Sequence, residues 1–200
     1  MKKDNTTLNQ KAALRLSLLK QIQKPIVLET HAGTGQVWKR VYSEIAQGIA
    51  FDEKPAKAEL LAIQRPSWSV FESNCVTSLA AGCGDHLVIN LIDVDPYGEP
   101  WPVLEAFLGS ERSWPERIGF AINDGVRMKL KITGGWDVES LGPAVRQFGN
   151  SAMYGDYLAV ARWNLKRLAA LRGYELASWT GYYCGHGDFM THYAAVFDRF

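Results

Sequence analysis

Four groups of residues have the types and spacing to do chemistry. Glu29-Thr30-His31-Ala32-Gly33-Thr34-Gly35 sets glycines directly after a short apolar run, Ile26-Val27-Leu28. Glycines at a strand-to-helix turn let a ligand approach the backbone closely, because no Cβ stands in the way. Asp52 follows a second run, Gly48 to Phe51, roughly 20 positions after the glycine loop, where an acidic group can accept hydrogen bonds from a ribose diol. Asn74, after a third run from Trp68 to Glu72, offers an amide to an adenine edge. Asp95-Pro96-Tyr97-Gly98 ends the most continuously apolar stretch, Leu87 to Val94, and joins a carboxylate to an aromatic ring.

Two nucleotide motifs are excluded. A dinucleotide fingerprint starting at Gly33 and Gly35 needs a third glycine where the chain has Trp38, and an indole there obstructs close helix packing. No G-x-x-x-x-G-K-[ST] occurs, so a P-loop has no basis. Cys184, His186 and His192 are metal-type side chains without a second ligand pair at zinc spacing, so no metal is expected. Trp179, Tyr182 and Tyr183 read as sheet packing.

These residues need a scaffold that brings them to one edge. Leu8, Ala12, Leu16 and Leu19 recur at helical intervals through Gln23 and stop before Pro25. Strands are expected at 26–28, 48–51, 68–72, 87–94 and 118–122, with helices at 36–46, 55–63 and 76–80 between them. The glycine-rich stretch 125–150 reads as an irregular excursion over the active face, followed by a helix over 154–171. Segments 174–183 and 189–197 form an antiparallel hairpin around Gly185-His186-Gly187-Asp188. Alternating strands and helices predict a largely parallel sheet covered on both sides. Ligands then bind at the carboxyl ends of the strands, which puts Gly33, Asp52, Asn74 and Asp95 along one rim.

In this order and spacing the chain resembles the class I S-adenosylmethionine-dependent methyltransferases over about residues 25–124. E-T-H-A-G-T-G is similar to their first motif, Asp52 to their ribose-binding acidic position and D-P-Y-G to their fourth motif. The resemblance implies an α/β, Rossmann-like seven-stranded sheet, mostly parallel with a C-terminal antiparallel hairpin, and S-adenosyl-L-methionine as cofactor. It assigns cofactor contacts to Glu29, His31, Gly33, Gly35, Asp52 and Asn74, and catalytic roles to Asp95, Pro96 and Tyr97. Within the superfamily, Asp95-Pro96-Tyr97-Gly98-Glu99-Pro100 looks most like the tRNA guanine-N2 dimethyltransferases, with Glu99 in place of a small residue. The DNA amino-methyltransferases usually carry a second proline in this motif, absent here. A similar motif occurs in the three-Cys-motif partner proteins.

The function implied is methylation of an exocyclic amine of a base, in RNA ahead of DNA and with guanine N2 favoured. Asp95 and the Pro96 carbonyl would accept the two amine N–H bonds, and Tyr97 would stack on the base. The alternatives are a DNA amino-methyltransferase, a non-catalytic subunit that keeps the fold and supports a partner, and a methyltransferase of small molecules or proteins.

Composition suits a folded domain: 200 residues, 47% hydrophobic and 22% charged. Apolar runs fall short of the roughly 18 residues that span a bilayer, and the polar start lacks a signal-peptide core. Cys75, Cys83 and Cys184 are too few for a disulfide framework. A cytoplasmic protein with free thiols and no membrane contact is expected. Charge is uneven. Residues 1–24 carry Lys2, Lys3, Lys11, Arg15, Lys20 and Lys24 against Asp4, six less one or +5, which leaves −4 for the remainder of a net +1. The expected organisation is a basic helical extension over 1–24, able to grip nucleic-acid phosphates, followed by a methyltransferase domain over 25–200. Substrate recognition by a protein partner is a second route.

Overall fold

The computed structural model describes residues 7–135 and 138–200. In chain order the elements are α1 (Leu8–Leu19), β1 (Val27–Glu29), α2 (Gln36–Val41), β2 (Gly48–Asp52), α3 (Pro55–Gln64), β3 (Ser69–Glu72), α4 (Cys75–Ala80), β4 (Leu91–Val94), α5 (Trp101–Gly109), β5 (Arg117–Asp124), α6 (Val126–Thr133), α7 (Gly142–Phe148), α8 (Asn150–Gly155), α9 (Tyr157–Ala170), β6 (Tyr174–Cys184) and β7 (Met190–Arg199). The strands form one seven-stranded sheet in the order β3-β2-β1-β4-β5-β7-β6. Strands β1 to β5 run parallel, and β7 inserts antiparallel between β5 and β6. This is the sheet the sequence predicts, hairpin included.

Each face of the sheet carries its own core. Leu28, Ile49, Ile92, Val94, Phe120, Ile122 and Phe197 point to one side, where Trp101, Phe107, Tyr157 and Leu165 of α5 and α9 cover them. On the other side Val27, Ala50, Leu91, Ala121, Ala194 and Val196 meet Leu14, Leu18 and Ile22 from the N-terminal segment, with Val37, Tyr42 and Leu61. Successive strand residues alternate between faces, so odd-numbered positions of β1 and β4 share the α1 side. Helix α1 therefore lies on the sheet itself, and Leu18 is 1% exposed.

Three expectations change. The strand predicted at 87–94 begins only at Leu91, because Leu87 and Ile89 are taken up in a turn, with Leu87 N donating to Gly84 O. Asn90 then ties the turn to the segment just before β1, its Oδ1 accepting from Ile26 N at 2.8 Å. The stretch 125–150 holds short helices rather than irregular chain, and α8 is separate from α9 because Asp156 caps the latter, accepting from Ala159 N. Helix α5, absent from the sequence reading, fills the β4-to-β5 crossover.

Candidate active site

The ends of β1, β2 and β4 hold the glycine loop in place. Thr30 N donates to Asp93 O and Ala32 N to Phe51 O, both at 3.0 Å, so the loop hangs between the ends of the two flanking strands. Gly33 follows with φ +59°, and a Cβ built there meets nothing within 4 Å. The backbone over it is open. Gly33 N donates to Asp52 Oδ2 at 3.1 Å, and Asp52 Oδ1 accepts from Lys54 N at 3.0 Å. Loop and carboxylate thus make one continuous edge. Gly35 serves packing instead: with φ +73°, its Cβ would stand 2.7 Å from Gln64 Oε1 at the end of α3.

Glu29 is 3% exposed, and its carboxylate is committed to Arg65 inside the protein. Burial raises the Glu29 pKa while Arg65 opposes the rise. The Arg65 guanidinium lies 5.0 Å from the Trp38 ring centroid and 5.2 Å from that of Trp68. Trp38 therefore covers this ion pair, which accounts for an indole where a dinucleotide site needs glycine. Asn74 sits at the end of β3 as the cap of α4, with Oδ1 accepting from Thr77 N at 3.1 Å and Nδ2 donating to Glu53 Oε1. The His31 ring lies between the two halves of the rim. Its Nδ1 is 2.9 Å from Thr30 Oγ1 and its Nε2 3.9 Å from Cys75 Sγ. Desolvation lowers the His31 pKa against the pull of Asp95 and Asp52, which keeps the ring neutral at pH 7.

Asp95 stands one residue beyond β4. Lys11 Nζ of α1 donates to both of its oxygens, at 2.8 and 3.0 Å, and Asn123 Nδ2 of β5 donates to Oδ1. Burial pushes the Asp95 pKa up, but Arg15 and Lys11 together with these hydrogen bonds outweigh it and hold the carboxyl below its usual range. Asp95 is therefore ionised. Pro96 is buried and Tyr97 is 88% exposed, so the ring is free to meet a ligand. Gly125 N donates to Gly98 O at 2.9 Å, which fastens the D-P-Y-G turn to the end of β5. Beside it Asp124 accepts from Tyr157 Oη at 2.7 Å and Tyr193 Oη at 2.9 Å, and burial pushes its pKa to about 6. Glu99, the departure from the motif, faces Lys129 at 3.6 Å.

Lys11, Arg15, Asn123 and Asp124 escape a reading of the sequence. One signal does exist. Asp93 and Asp95 sit two apart on a buried strand, roughly 6.6 Å, while Lys11 and Arg15 sit four apart on a helix, roughly 6 Å. Two buried carboxylates demand two cations at matching separation, and this pair matches. Of the six cationic side chains assigned to the phosphate-gripping extension, Lys11 and Arg15 thus point into the protein, Lys20 and Lys24 stand at its surface or edge, and Lys2 and Lys3 lie outside the described residues.

The remaining metal-type side chains are inert by environment. Cys184 Sγ lies 3.3 Å from His192 Nε2, and burial pushes the thiol to about 11 and, with the charges of Lys11 and Arg15, the imidazole to about 4. The pair is neutral. Nothing is described of the His186 side chain, and among the described residues no group of three or more His, Cys, Asp or Glu could hold a metal. Trp179 stacks on Tyr193 at 4.9 Å, the sheet packing expected of that aromatic cluster. Among the described residues no helix is long and apolar enough to cross a membrane, and Cys75, Cys83 and Cys184 are all unpaired.

No family model matches the sequence, and no curated protein matches it. Solved structures do resemble the fold. Trm1 from Pyrococcus horikoshii, in complex with S-adenosyl-L-methionine, aligns over 100% of this chain with a TM-score of 0.61 and 14% identity, and the chain spans 56% of that protein. TYW2 from M. jannaschii, in complex with AdoMet, aligns over 100% of this chain and 79% of its own at TM-score 0.60 and 11% identity. The N-methyltransferase NodS from Bradyrhizobium japonicum WM9 aligns over 98% of both chains at TM-score 0.58 and 11% identity. At these identities the likeness concerns architecture alone: the chain shares the fold of these S-adenosyl-L-methionine-bound and N-methyltransferase structures.

Proposed function

We propose that this protein is an S-adenosyl-L-methionine-dependent methyltransferase acting on an exocyclic amine of a base in RNA, guanine N2 favoured. The observation that carries the reading is the ionised Asp95, with exposed Tyr97 beside it, on the same rim as the open Gly33 loop and Asp52. The residues present fit the cofactor. The backbone over Gly33 leaves room for it, and Asp52, which accepts from two backbone N–H groups and faces Lys57 Nζ at 3.7 Å, keeps acceptor capacity for a ribose diol. When bound, the cofactor supplies an electrophilic methyl group on a sulfonium.

With the cofactor held at Gly33 and Asp52, the amine nitrogen would take up that methyl group in exchange for the sulfur and would then give up one proton. An exocyclic amine is a weak nucleophile because its lone pair is delocalised into the ring. Asp95 and the Pro96 carbonyl accept its N–H bonds and favour a pyramidal nitrogen, while Tyr97 stacks on the base and holds it in line. A carboxyl held below its usual pKa is a weak base, so Asp95 acts chiefly as an acceptor. The methylated nitrogen, now a strong acid, releases its proton to water. The base enters from a single strand or is flipped from a duplex. The resemblance of the D-P-Y-G-E-P segment favours RNA over DNA, and unpaired cysteines suit the cytoplasm, where a protein partner can add recognition.

Tritium transfer from labelled cofactor to total RNA, DNA and protein, followed by nucleoside analysis, tests the reading. Labelled N2-methylguanosine is the expected product; label confined to DNA or protein overturns the RNA assignment. The cofactor edge has its own test. Asp52→Ala is expected to weaken S-adenosylhomocysteine binding by about ten- to a hundredfold, the equivalent of one charge-assisted hydrogen bond, and Gly33→Val to weaken it as well, because a branched side chain at φ +59° fills the open space over the backbone. Calorimetry on folded variants that shows parental affinity would refute the edge as the cofactor site.

A further inference from the structure

We propose that Lys11, carried by the N-terminal helix, is a positioning residue of the site: it fixes the Asp95 carboxylate so that one oxygen lone pair is left for the substrate amine. The inference rests on the amine-methylating reading above. A carboxylate offers about four acceptor positions. Lys11 and Asn123 occupy both on Oδ1, and Lys11 takes one on Oδ2, so a single Oδ2 position remains. Asp95 can then hold one N–H bond of the amine, which leaves the other to the Pro96 carbonyl.

The ammonium is held firmly enough for this role. Lys11 and Asp95 side chains are only 12% and 20% exposed, so water competes poorly for the contact. One turn further along α1, Arg15 makes two hydrogen bonds of 2.6 Å to Asp93 and a third from Nη1 to Lys11 O at 3.3 Å. The helix is pinned at the position that places Lys11. Specificity follows from the charges. Asp93 and Asp95 are matched by Arg15 and Lys11, so the cluster offers no net attraction to a protonated alkylamine such as a lysine side chain. A neutral amine on a base loses nothing by entering.

The groups that face Asp95 are Lys11 and Arg15 from α1, Asn123 from β5, His31 from the loop after β1 and His192 from β7, with Asp93 two residues earlier on the same face of the sheet. Of these only Lys11 and Arg15 are cationic at neutral pH. Lys11→Met keeps the packing of the stem and removes the charge. Two readouts are needed: the Asp95 carboxyl titration followed by carbon-13 NMR, and the pH dependence of tritium transfer to total RNA. In Lys11→Met the Asp95 titration is expected to rise by at least about one pH unit, the low end of what a neighbouring opposite charge contributes. The acid limb of transfer moves up with it, S-adenosylhomocysteine affinity is unchanged, and Lys11→Arg restores both. An Asp95 titration unmoved in Lys11→Met overturns the proposal, as does a loss of transfer with an unshifted pH profile. Absence of transfer in the parent protein counts against the methylation reading alone, because the NMR titration still reports whether Lys11 holds Asp95.

Discussion

Asp95→Ala is expected to lower methyl transfer by roughly a hundred- to a thousandfold, the typical loss when one preorganised polar contact to a reacting group is removed. Cofactor affinity should stay within a few-fold, because the proposed cofactor edge, the open Gly33 backbone and Asp52, does not include Asp95. That split marks an interaction made chiefly in the transition state. Asp95→Asn separates two contributions. It keeps an acceptor for the amine but loses the charge that Lys11 and Asn123 hold in place, so it should fall between alanine and the parent. Thermal melts must accompany the kinetics, since the variant frees a lysine that is 12% exposed in the parent. Parental turnover in folded Asp95→Ala would remove Asp95 from the chemistry and leave D-P-Y-G as a turn with an aromatic edge.

How much of this site can be read in the sequence depends on how local each interaction is. The glycine loop, Asp52 and D-P-Y-G are legible because each follows an apolar run by a few residues, and the parallel sheet sends all such positions to one rim. The five parallel strands and the closing hairpin are legible because each is itself a local run of apolar residues bounded by turn residues. The groups that condition the site are not. Lys11 is 84 residues from Asp95, Arg15 is 78 from Asp93 and Asn123 is 28 from Asp95, and each meets its partner only through the order of the strands. A lysine and an arginine on an amphipathic helix look the same in sequence whether they face solvent or a buried carboxylate. The same limit explains the glycine loop. Its motif marks two glycines alike, yet one is open to a ligand and the other makes room for α3.

Arg15 is where the N-terminal segment meets the stability of the whole fold. Its side chain is 0% exposed and Asp93, its partner on the central strand β4, is 2% exposed. Tyr42 Oη donates to the same carboxylate at 2.8 Å. Arg15→Met would leave Asp93 buried with the tyrosine hydroxyl alone, and breaking a buried pair in this way costs about 3–5 kcal/mol. A domain stable by about 5–15 kcal/mol loses a large part of its margin. Urea denaturation is the measurement: the midpoint should drop strongly in Arg15→Met and recover by more than half in Arg15→Met/Asp93→Asn, where no charge is left unpaired and the amide carbonyl still accepts from Tyr42. A chain starting at Lys24 removes Leu14, Leu18 and Ile22 from the sheet as well, and is expected to fail to fold rather than to lose only its salt-dependent grip on nucleic acid. Stable folding of that shorter chain, with parental affinity for S-adenosylhomocysteine, would show that the basic segment is an appendage after all. A double variant no more stable than Arg15→Met would mean that packing around the arginine stem, and not the stranded charge of Asp93, sets the cost.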